Sequence, residues 1–345
     1  TRHPGQQPAV RRGRIVVQVL AENARREFEM DMKEVERQRR ACEVAAQVIG
    51  GGKVDPKTLS IEPLAGMTNR NYRVTVEGVD YVVRIPGEGT EEYVDRRSDE
   101  QAARITSDLG VNAPLIHYDG GIQITRFIEN GRAMSAELFK DPAAVRRAAV
   151  SFKTLHSSGQ AFLNRFDERE VAREYLEILR QKNARLPDGY DRVQREADTI
   201  REALAASGGG LVSCHNDPAP ENLVDTGERV YILDWEFAGN NDPYWDLADL
   251  SVETAFSEEQ DHILLEAYLG RPPSKADYGR IVLQKSLAFL LWTLWGLLQE
   301  ANRNPRPAYH FASYWDYAMD RFTRCQQIMN ADNFPGLLEA VRSAR

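Results

Sequence analysis

Hydrophobic and polar residues alternate in three short stretches between residues 58 and 85. The apolar positions are Leu59, Ile61 and Leu64, then Tyr72, Val74 and Val76, then Tyr81, Val82, Val83 and Ile85. A period of two is typical of strands that bury one face. Gly66 and the polar segment 77–80 separate the stretches. The pattern therefore predicts a small antiparallel sheet.

Most of the chain after residue 140 has helical spacing of its apolar positions. Helices are predicted over 142–157, 167–182, 191–207, 245–255, 257–269, 277–301 and 308–329. Two short apolar stretches, 223–224 and 230–233, interrupt this pattern and flank the turn-forming residues 225–228. They predict a β-hairpin.

The first fifty residues are the least informative part of the sequence. Residues 1–14 carry four arginines and two prolines but no acid, a composition compatible with a targeting peptide, a polyanion-binding arm or a disordered extension. We favour the disordered extension. Residues 22–48 then predict a charged helix that ends at Gly50, Gly51 and Gly52.

Composition narrows the class of protein without selecting a function. The 345 residues are 42% hydrophobic and 28% charged, which fits one large or two modest soluble domains. A net charge of −8 argues against a nucleic-acid partner and suits a site for cations. Three widely spaced cysteines indicate a reducing compartment, so we expect a cytoplasmic protein. The apolar run 287–298 is too short to span a bilayer, and no membrane partner is expected.

The strongest chemical signal is Asp217 with Asn222 five residues later and Asp234 after the second hairpin strand. Kinase-like enzymes use this spacing around ATP and Mg²⁺. Asp217 is suited to accept the proton of a substrate hydroxyl, while Asn222 and Asp234 offer the hard oxygen ligands that Mg²⁺ prefers. A surface loop rich in turn formers is the alternative. The predicted hairpin favours a site, because it brings Asn222 beside Asp234. We expect His215 to order the loop.

The segment 215–253 makes the signal more specific. It contains His-Asn-Asp, Pro-Glu-Asn, Leu-Asp-Trp-Glu-Phe-Ala-Gly and Asn-Asp-Pro-Tyr-Trp-Asp-Leu-Ala. These motifs resemble the choline/ethanolamine kinase branch of the aminoglycoside phosphotransferase-like kinases, especially its bacterial members, and the resemblance covers about residues 58–325. It implies an α+β, two-lobed protein-kinase-like fold. We therefore expect an N-terminal extension over 1–54, an N-lobe over 55–128 and a C-lobe over 129–345.

The same resemblance implies a nucleotide site in the N-lobe. Arg84 stands where many kinases carry a phosphate-binding Lys, with Glu100 as its acidic partner and Asp95 or Asp99 as alternatives. An ordinary surface salt bridge is the other interpretation of Arg84. Further contacts to ATP are expected from Asn69 and Asn71 in the nucleotide loop, and from the main chain of a hinge strand at Thr125 and Ile128.

The acceptor site is implied by four residues that match choline-contact positions of the family: Glu253, Trp292, Trp295 and Tyr317. Aromatic rings attract quaternary ammonium groups through their faces. Periodicity alone favours core packing for the two tryptophans, which share one helix face. Ala219 departs from the eukaryotic choline kinases, which place Gln there, so the substrate orientation must differ at that point.

Together these features predict an ATP-dependent kinase for choline or a related small cationic amino alcohol. The expected cofactors are ATP and Mg²⁺, with Glu236 as a ligand for a second metal ion. The alternatives are an ethanolamine or aminoglycoside phosphotransferase, or a catalytically silent nucleotide-binding module. The sequence leaves the oligomeric state open.

Overall fold

A computed structural model describes residues 32–64, 69–87, 94–304 and 311–344. Contacts within the chain define two compact units. The described part of the first comprises 32–64, 69–87 and 116–127, and the second comprises the rest. The sequence prediction placed one boundary after residue 128. The structure instead assigns 94–115 to the second unit.

The first unit is built on a five-stranded sheet with the order β1-β2-β3-β5-β4. Its strands are β1 (Ser60–Leu64), β2 (Arg70–Val76), β3 (Val79–Ile85), β4 (Leu115–Asp119) and β5 (Ile122–Arg126). The first three match the predicted alternation. Strand β4 was not predicted, and only Tyr118 in it is buried, so this edge strand has almost no hydrophobic pattern to detect.

Helix α1 (32–48) packs on this sheet. Ala41 and Ala45 are fully buried and share one hydrophobic cluster with Tyr72, Val74 and Ile124. Glu34 also accepts a hydrogen bond from the hydroxyl of Tyr72 at 2.9 Å. The helix predicted within the N-terminal extension is thus part of the first unit's core. The predicted arm over 1–14 and the helix start at residue 22 lie outside the described residues.

The second unit is mainly helical. Its α-helices are α2 (Arg96–Asp108), α3 (Pro142–His156), α4 (Glu168–Gln181), α5 (Tyr190–Ala206), α6 (Pro243–Thr254), α7 (Glu258–Leu269), α8 (Lys275–Ala301), α9 (Tyr314–Met329) and α10 (Phe334–Arg342). The predicted helices are confirmed within a few residues at most ends. The predicted start of the last helix at residue 308 lies outside the described residues, and α9 itself begins at Tyr314, where Ser313 caps it. The short helix α10 was not predicted.

Short strands support the loops of this unit. They are β6 (Arg132–Ala133), β7 (Val212–Cys214), β8 (Leu223–Asp225), β9 (Val230–Ile232) and β10 (Gly239–Asn241). The β8/β9 pair is the predicted hairpin, and Leu223 lies opposite Ile232. Strand β7 pairs with β10, and β6 with β8. Strands of two or three residues are too short to show a period, so β6, β7 and β10 could not be predicted.

Helix α8 forms the centre of a large hydrophobic cluster in this unit, with Leu287, Leu290 and Leu294 almost fully buried. Among the described residues it is the one helix long and apolar enough to cross a membrane. However, 72% of its most apolar window is buried inside the protein. Core packing therefore accounts for its apolar character.

Candidate active site

The loop that carries Asp217 begins directly after β7. His215 and Asn216 are fully buried, while Asp217 keeps some solvent exposure. Asn216 has a φ of +70°, a left-handed conformation that Asn tolerates better than most residues. Its side-chain amide donates to the main-chain oxygens of Phe237 at 3.0 Å and Gly239 at 3.2 Å. These bonds fix the direction in which the loop leaves the strand.

The imidazole of His215 connects this loop to the end of β9. Its Nε2 lies 2.8 Å from the carbonyl oxygen of Leu233. Because a carbonyl only accepts, the proton is on Nε2, and Nδ1 accepts the N–H of Asp217 at 3.3 Å. Burial lowers the pKa of His215, which favours this neutral tautomer. His215 therefore positions Asp217.

Asp246 on α6 anchors the same loop, and the sequence analysis assigned it no role. Its carboxylate is fully buried and accepts the main-chain N–H groups of His215 and Asn216, both at 2.8 Å. The ring of His156 lies 2.9 Å from the same carboxylate, and its other nitrogen lies 3.0 Å from the hydroxyl of Tyr268. The Asp-Leu-Ala motif was visible in the sequence, but its partners were not.

His156, Cys214 and Asp246 place potential metal-ligand atoms within 4.8 Å of one another. Hydrogen bonds account for this grouping, because His156 bonds to Asp246 and the thiol of Cys214 donates to the main-chain oxygens of Asn241 and Asp242. Both carboxylate oxygens of Asp246 accept hydrogen bonds, so the group acts as a structural network that supports the loop.

The β8/β9 hairpin brings Asn222 next to the segment that carries Asp234. The N–H of Leu233 donates to the carbonyl oxygen of Asn222 at 2.8 Å. The side-chain NH₂ of Asn222 donates to the main-chain oxygen of Asp217 at 3.2 Å, which directs its amide oxygen away from that bond. Asp234 has a φ of +63°, a left-handed conformation in which Asp is enriched. The hairpin prediction is confirmed.

The electrostatics around Asp217 are strongly acidic. Burial raises the pKa of Asp217 well above its usual range, and the nearby carboxylates of Asp249, Glu253, Asp234 and Glu236 raise it further. Like charges that are grouped in this way are stabilised by a cation. The chemistry of the site thus suits a divalent metal ion, a cationic substrate or both.

The aromatic residues predicted for the acceptor form one cluster. The rings of Trp292 and Trp295 on α8 meet edge to face with centroids 6.3 Å apart. Trp295 also contacts Tyr317 on α9, with centroids 5.7 Å apart. Both tryptophans remain partly exposed. Gly296 permits the close approach of α9, because a Cβ there would lie 2.7 Å from Cδ1 of Tyr317.

Arg321 on α9 is the main feature of this region that the sequence analysis missed. It lies 3.2 Å from both carboxylate oxygens of Glu253, and its guanidinium lies 4.7 Å from the ring centroid of Tyr317. An internal cation therefore already contacts two of the four residues predicted to bind the substrate cation. No local signal predicts this pair, since 68 residues separate Glu253 from Arg321.

The residues predicted to bind ATP are distributed over both units. In the first unit, Asn71 on β2 lies opposite Arg84 on β3 in the register of the sheet, so their side chains share one face. Asn69 and Arg84 are both buried, and Thr125 on β5 pairs with Val82.

The other two predicted contacts to the nucleotide lie in the second unit. The carbonyl of Ile128 accepts the N–H of Gly131 at 3.1 Å. Glu100 on α2 accepts hydrogen bonds from Arg104, the shorter at 2.8 Å, whereas Asp99 on the same helix is buried beside Arg96. The pairing of Arg84 with Glu100 remains a prediction.

Comparison with known proteins agrees with this geometry. Residues 60–281 match the phosphotransferase enzyme family. Protein LicA of Haemophilus influenzae is 26% identical over 277 residues, which cover 76% of this chain and 78% of LicA.

Solved structures extend the comparison. A choline/ethanolamine kinase family protein from Mesorhizobium loti is 41% identical, covers 87% of this chain and 98% of its own, and superposes with a TM-score of 0.77. Choline kinase LicA from Streptococcus pneumoniae is 26% identical, with 83% and 98% coverage and a TM-score of 0.67. A LicA structure in complex with AMP is 25% identical, with 83% and 97% coverage and a TM-score of 0.64. The chain therefore has a protein-kinase-like fold and belongs to the phosphotransferase enzyme family, in its choline/ethanolamine kinase branch, whose members transfer phosphoryl groups to alcohols.

Proposed function

We propose that this enzyme transfers the γ-phosphoryl group of ATP to the hydroxyl of a small cationic amino alcohol, choline or a close relative. One observation carries the proposal. The loop after β7 and the β8/β9 hairpin bring Asp217 and Asn222 into hydrogen-bond contact. The N–H of Leu233, the residue before Asp234, donates to the carbonyl oxygen of Asn222. This arrangement supports the proposal, because the three residues that would serve as base and as oxygen ligands for a metal belong to connected segments.

Asp217 would act as the base and positioning carboxylate. It accepts the hydrogen bond of the substrate hydroxyl and takes its proton as the bond from that oxygen to the γ-phosphorus forms. The bond between the γ-phosphorus and its bridging oxygen breaks, and ADP leaves. Burial and, after it, the acidic neighbours raise the pKa of Asp217, which makes it a stronger proton acceptor than an ordinary Asp.

Asn222 and Asp234 would hold Mg²⁺, with Glu236 as a ligand for a second ion. Their donor atoms are the hard oxygens that this ion takes, and the hydrogen bond from the NH₂ of Asn222 to Asp217 leaves the amide oxygen as the atom available for a metal. Mg²⁺ supplies charge neutralisation at the transferred phosphoryl group.

The nucleotide contacts would come from the polar residues of the sheet. Arg84 suits ATP phosphates because its guanidinium stays charged and binds two oxygens at once, and Asn71 lies opposite it. Asn69, the main chain at Thr125 and Ile128, and Glu100 as a partner of Arg84 complete the proposed site. Glu253, Trp292, Trp295 and Tyr317 are proposed for the acceptor.

A coupled assay for ATP consumption tests the function directly. Purified enzyme with Mg²⁺ and ATP would be screened against choline, ethanolamine, their methylated intermediates and several aminoglycosides, with ³¹P NMR to identify the product. The expected product is a phosphomonoester of an amino alcohol. An enzyme that binds ATP but phosphorylates none of these acceptors would instead be a nucleotide-binding module. Phosphorylation of aminoglycosides alone would move it to that substrate class.

A further inference from the structure

Asp249 on α6 has an unusual environment for a carboxylate. Its side chain is fully buried. Oδ1 accepts the indole N–H of Trp292 at 2.6 Å, whereas Oδ2 has no hydrogen-bond partner among the described residues. A buried carboxylate oxygen without a donor is costly and rare in folded proteins, so a water molecule or a ligand has to supply the donor that the described residues do not.

Asp249 adjoins both parts of the proposed acceptor site. It is the charged group that most strongly raises the pKa of Asp217, the proposed base. Its hydrogen bond to Trp292 joins it to the aromatic cluster of Trp292, Trp295 and Tyr317. A ligand that reaches the base and the rings therefore comes close to Asp249.

Glu253, the acid predicted to bind the substrate cation, already has a cationic partner within the protein. Glu253 forms a buried ion pair with Arg321, with side-chain exposures of 8% and 10%. The same guanidinium lies over the ring of Tyr317. Arg321 forms its ion pair with Glu253. Its charge also lowers the pKa of Asp249, but among the described residues Asp249 forms no ion pair of its own, and it shares Trp292 with the aromatic cluster.

We propose that Asp249 is the specificity-determining carboxylate that binds the substrate's ammonium group, and that the preferred acceptor is an amino alcohol with at least one N–H on that nitrogen. This inference rests on the proposed function and narrows its substrate class. An N–H of a charged amine satisfies Oδ2 with a charge-assisted hydrogen bond. A quaternary ammonium cannot donate, so it would leave that oxygen unsatisfied and depend on the rings alone.

A methylation series provides the test. Ethanolamine, N-methylethanolamine, N,N-dimethylethanolamine and choline differ by one methyl group per step, and only the last step removes the final N–H. For the wild-type enzyme we expect kcat/KM to fall by about 10-fold or more at that last step, as expected for a lost hydrogen bond to a charged group.

The variant Asp249→Asn should reduce this discrimination. It keeps an oxygen for the Trp292 bond but loses the charge. The KM for the three N–H-bearing acceptors should rise by about 10-fold or more, and the KM for choline should rise much less. The KM for ATP should stay within about twofold, which separates a role at the acceptor from general damage to the active site.

Asp261→Asn is the matched control. Asp261 is equally buried but is paired with Lys285 at 2.7 Å and with Ser251, so its loss should leave the ratio between dimethylethanolamine and choline unchanged. A wild-type preference for choline, or an equal loss for all four acceptors in Asp249→Asn, would overturn the inference while leaving the kinase activity established. Absence of turnover with any of the four would refute the proposed function itself.

Discussion

At the scale of single residues, the site depends on carboxylates held close together. Asp217 lies among four other acids, and its neighbour His215 is kept neutral by burial. The spacing of Asp217, Asn222 and Asp234 was sufficient to predict the type of chemistry. The environment of Asp249 was not predictable, because its unpaired oxygen is defined by packing against α8, 43 residues away in sequence.

Removal of the base and removal of the metal ligand should have different kinetic effects. Asp217→Asn should lower kcat by about 10²-fold or more, with ATP binding largely retained, because the proton acceptor is lost. Asp234→Asn should lower kcat by a similar factor and also weaken Mg·ATP binding. Steady-state kinetics and nucleotide titration measure both effects.

Glu228→Gln, at the exposed tip of the same hairpin, is the control for these two variants. Near-normal turnover in Asp217→Asn would remove this residue from the mechanism.

The unpaired oxygen of Asp249 should also affect stability. Burial, with the charge of Glu253, raises the pKa of Asp249 well above its usual range. Between the unfolded and folded pKa values the folded state holds more protons, so stability falls as pH rises through that window. Without nucleotide or metal, Asp249→Asn should therefore be more stable than wild type at pH 8, by about 1–3 kcal/mol, with a smaller difference at pH 5.

Urea unfolding at several pH values measures this difference. Asp261→Asn should be less stable than wild type, because it leaves Lys285 without its ion-pair partner. If Asp249→Asn were the less stable protein at pH 8, the carboxylate would have a donor that the structure does not identify.

At the scale of elements, local patterns were predictable and long-range anchors were not. The β8/β9 hairpin follows from two short apolar stretches and a turn, so the pairing of Leu223 with Ile232 could be anticipated. Asp246 holds the loop through bonds to residues 30 and 31 positions away. A sequence pattern does not show which main-chain N–H groups will donate to a distant carboxylate. The same limit applies to Arg321 and Glu253.

The contact between α8 and α9 offers a test at this scale. Gly296→Ala would place a Cβ 2.7 Å from Cδ1 of Tyr317 and 3.1 Å from Cβ of Ala318, so α9 must move away from α8. Such overpacking typically costs about 1–3 kcal/mol of stability. Because Tyr317 on α9 would then move relative to Trp295 on α8, the KM for the acceptor should also rise by about threefold or more, while the KM for ATP stays unchanged.

Gly279→Ala is a control on the same helix. Its Cβ would lie 2.8 Å from Val341 and 3.0 Å from the carbonyl of Leu337 on α10, away from the aromatic cluster. Thermal unfolding should show a comparable loss of stability, but acceptor kinetics should be normal. An acceptor KM that is unaffected in Gly296→Ala would show that the aromatic cluster serves packing alone.

At the scale of the whole molecule, the resemblance predicted the family and fold correctly, and its division of the chain into lobes stays a prediction. Helix α2 follows the sheet strands β1–β3 in sequence, which led to its assignment with them. Ala102 instead lies in the hydrophobic cluster that contains Phe152 and Leu223. The N-terminal helix was assigned to an extension, whereas its buried residues lie in the hydrophobic cluster of the first unit. Its charged residues suggested a surface extension, while its small buried residues gave little hydrophobic signal.

The role of α1 in the first unit can be tested with two substitutions on that helix. Ala45 is fully buried and lies in one cluster with Tyr72, Val74 and Val83 of the sheet, whereas Gln47 is exposed. Ala45→Glu forces an unpaired charge into this cluster and should cost about 3 kcal/mol or more. Gln47→Glu introduces a carboxylate two residues later and should change stability by less than about 0.5 kcal/mol. Urea unfolding followed by circular dichroism measures both. Similar urea midpoints of unfolding for the two variants would show that α1 is an extension and not part of the core. A helix outside the core can accept a charge on either face.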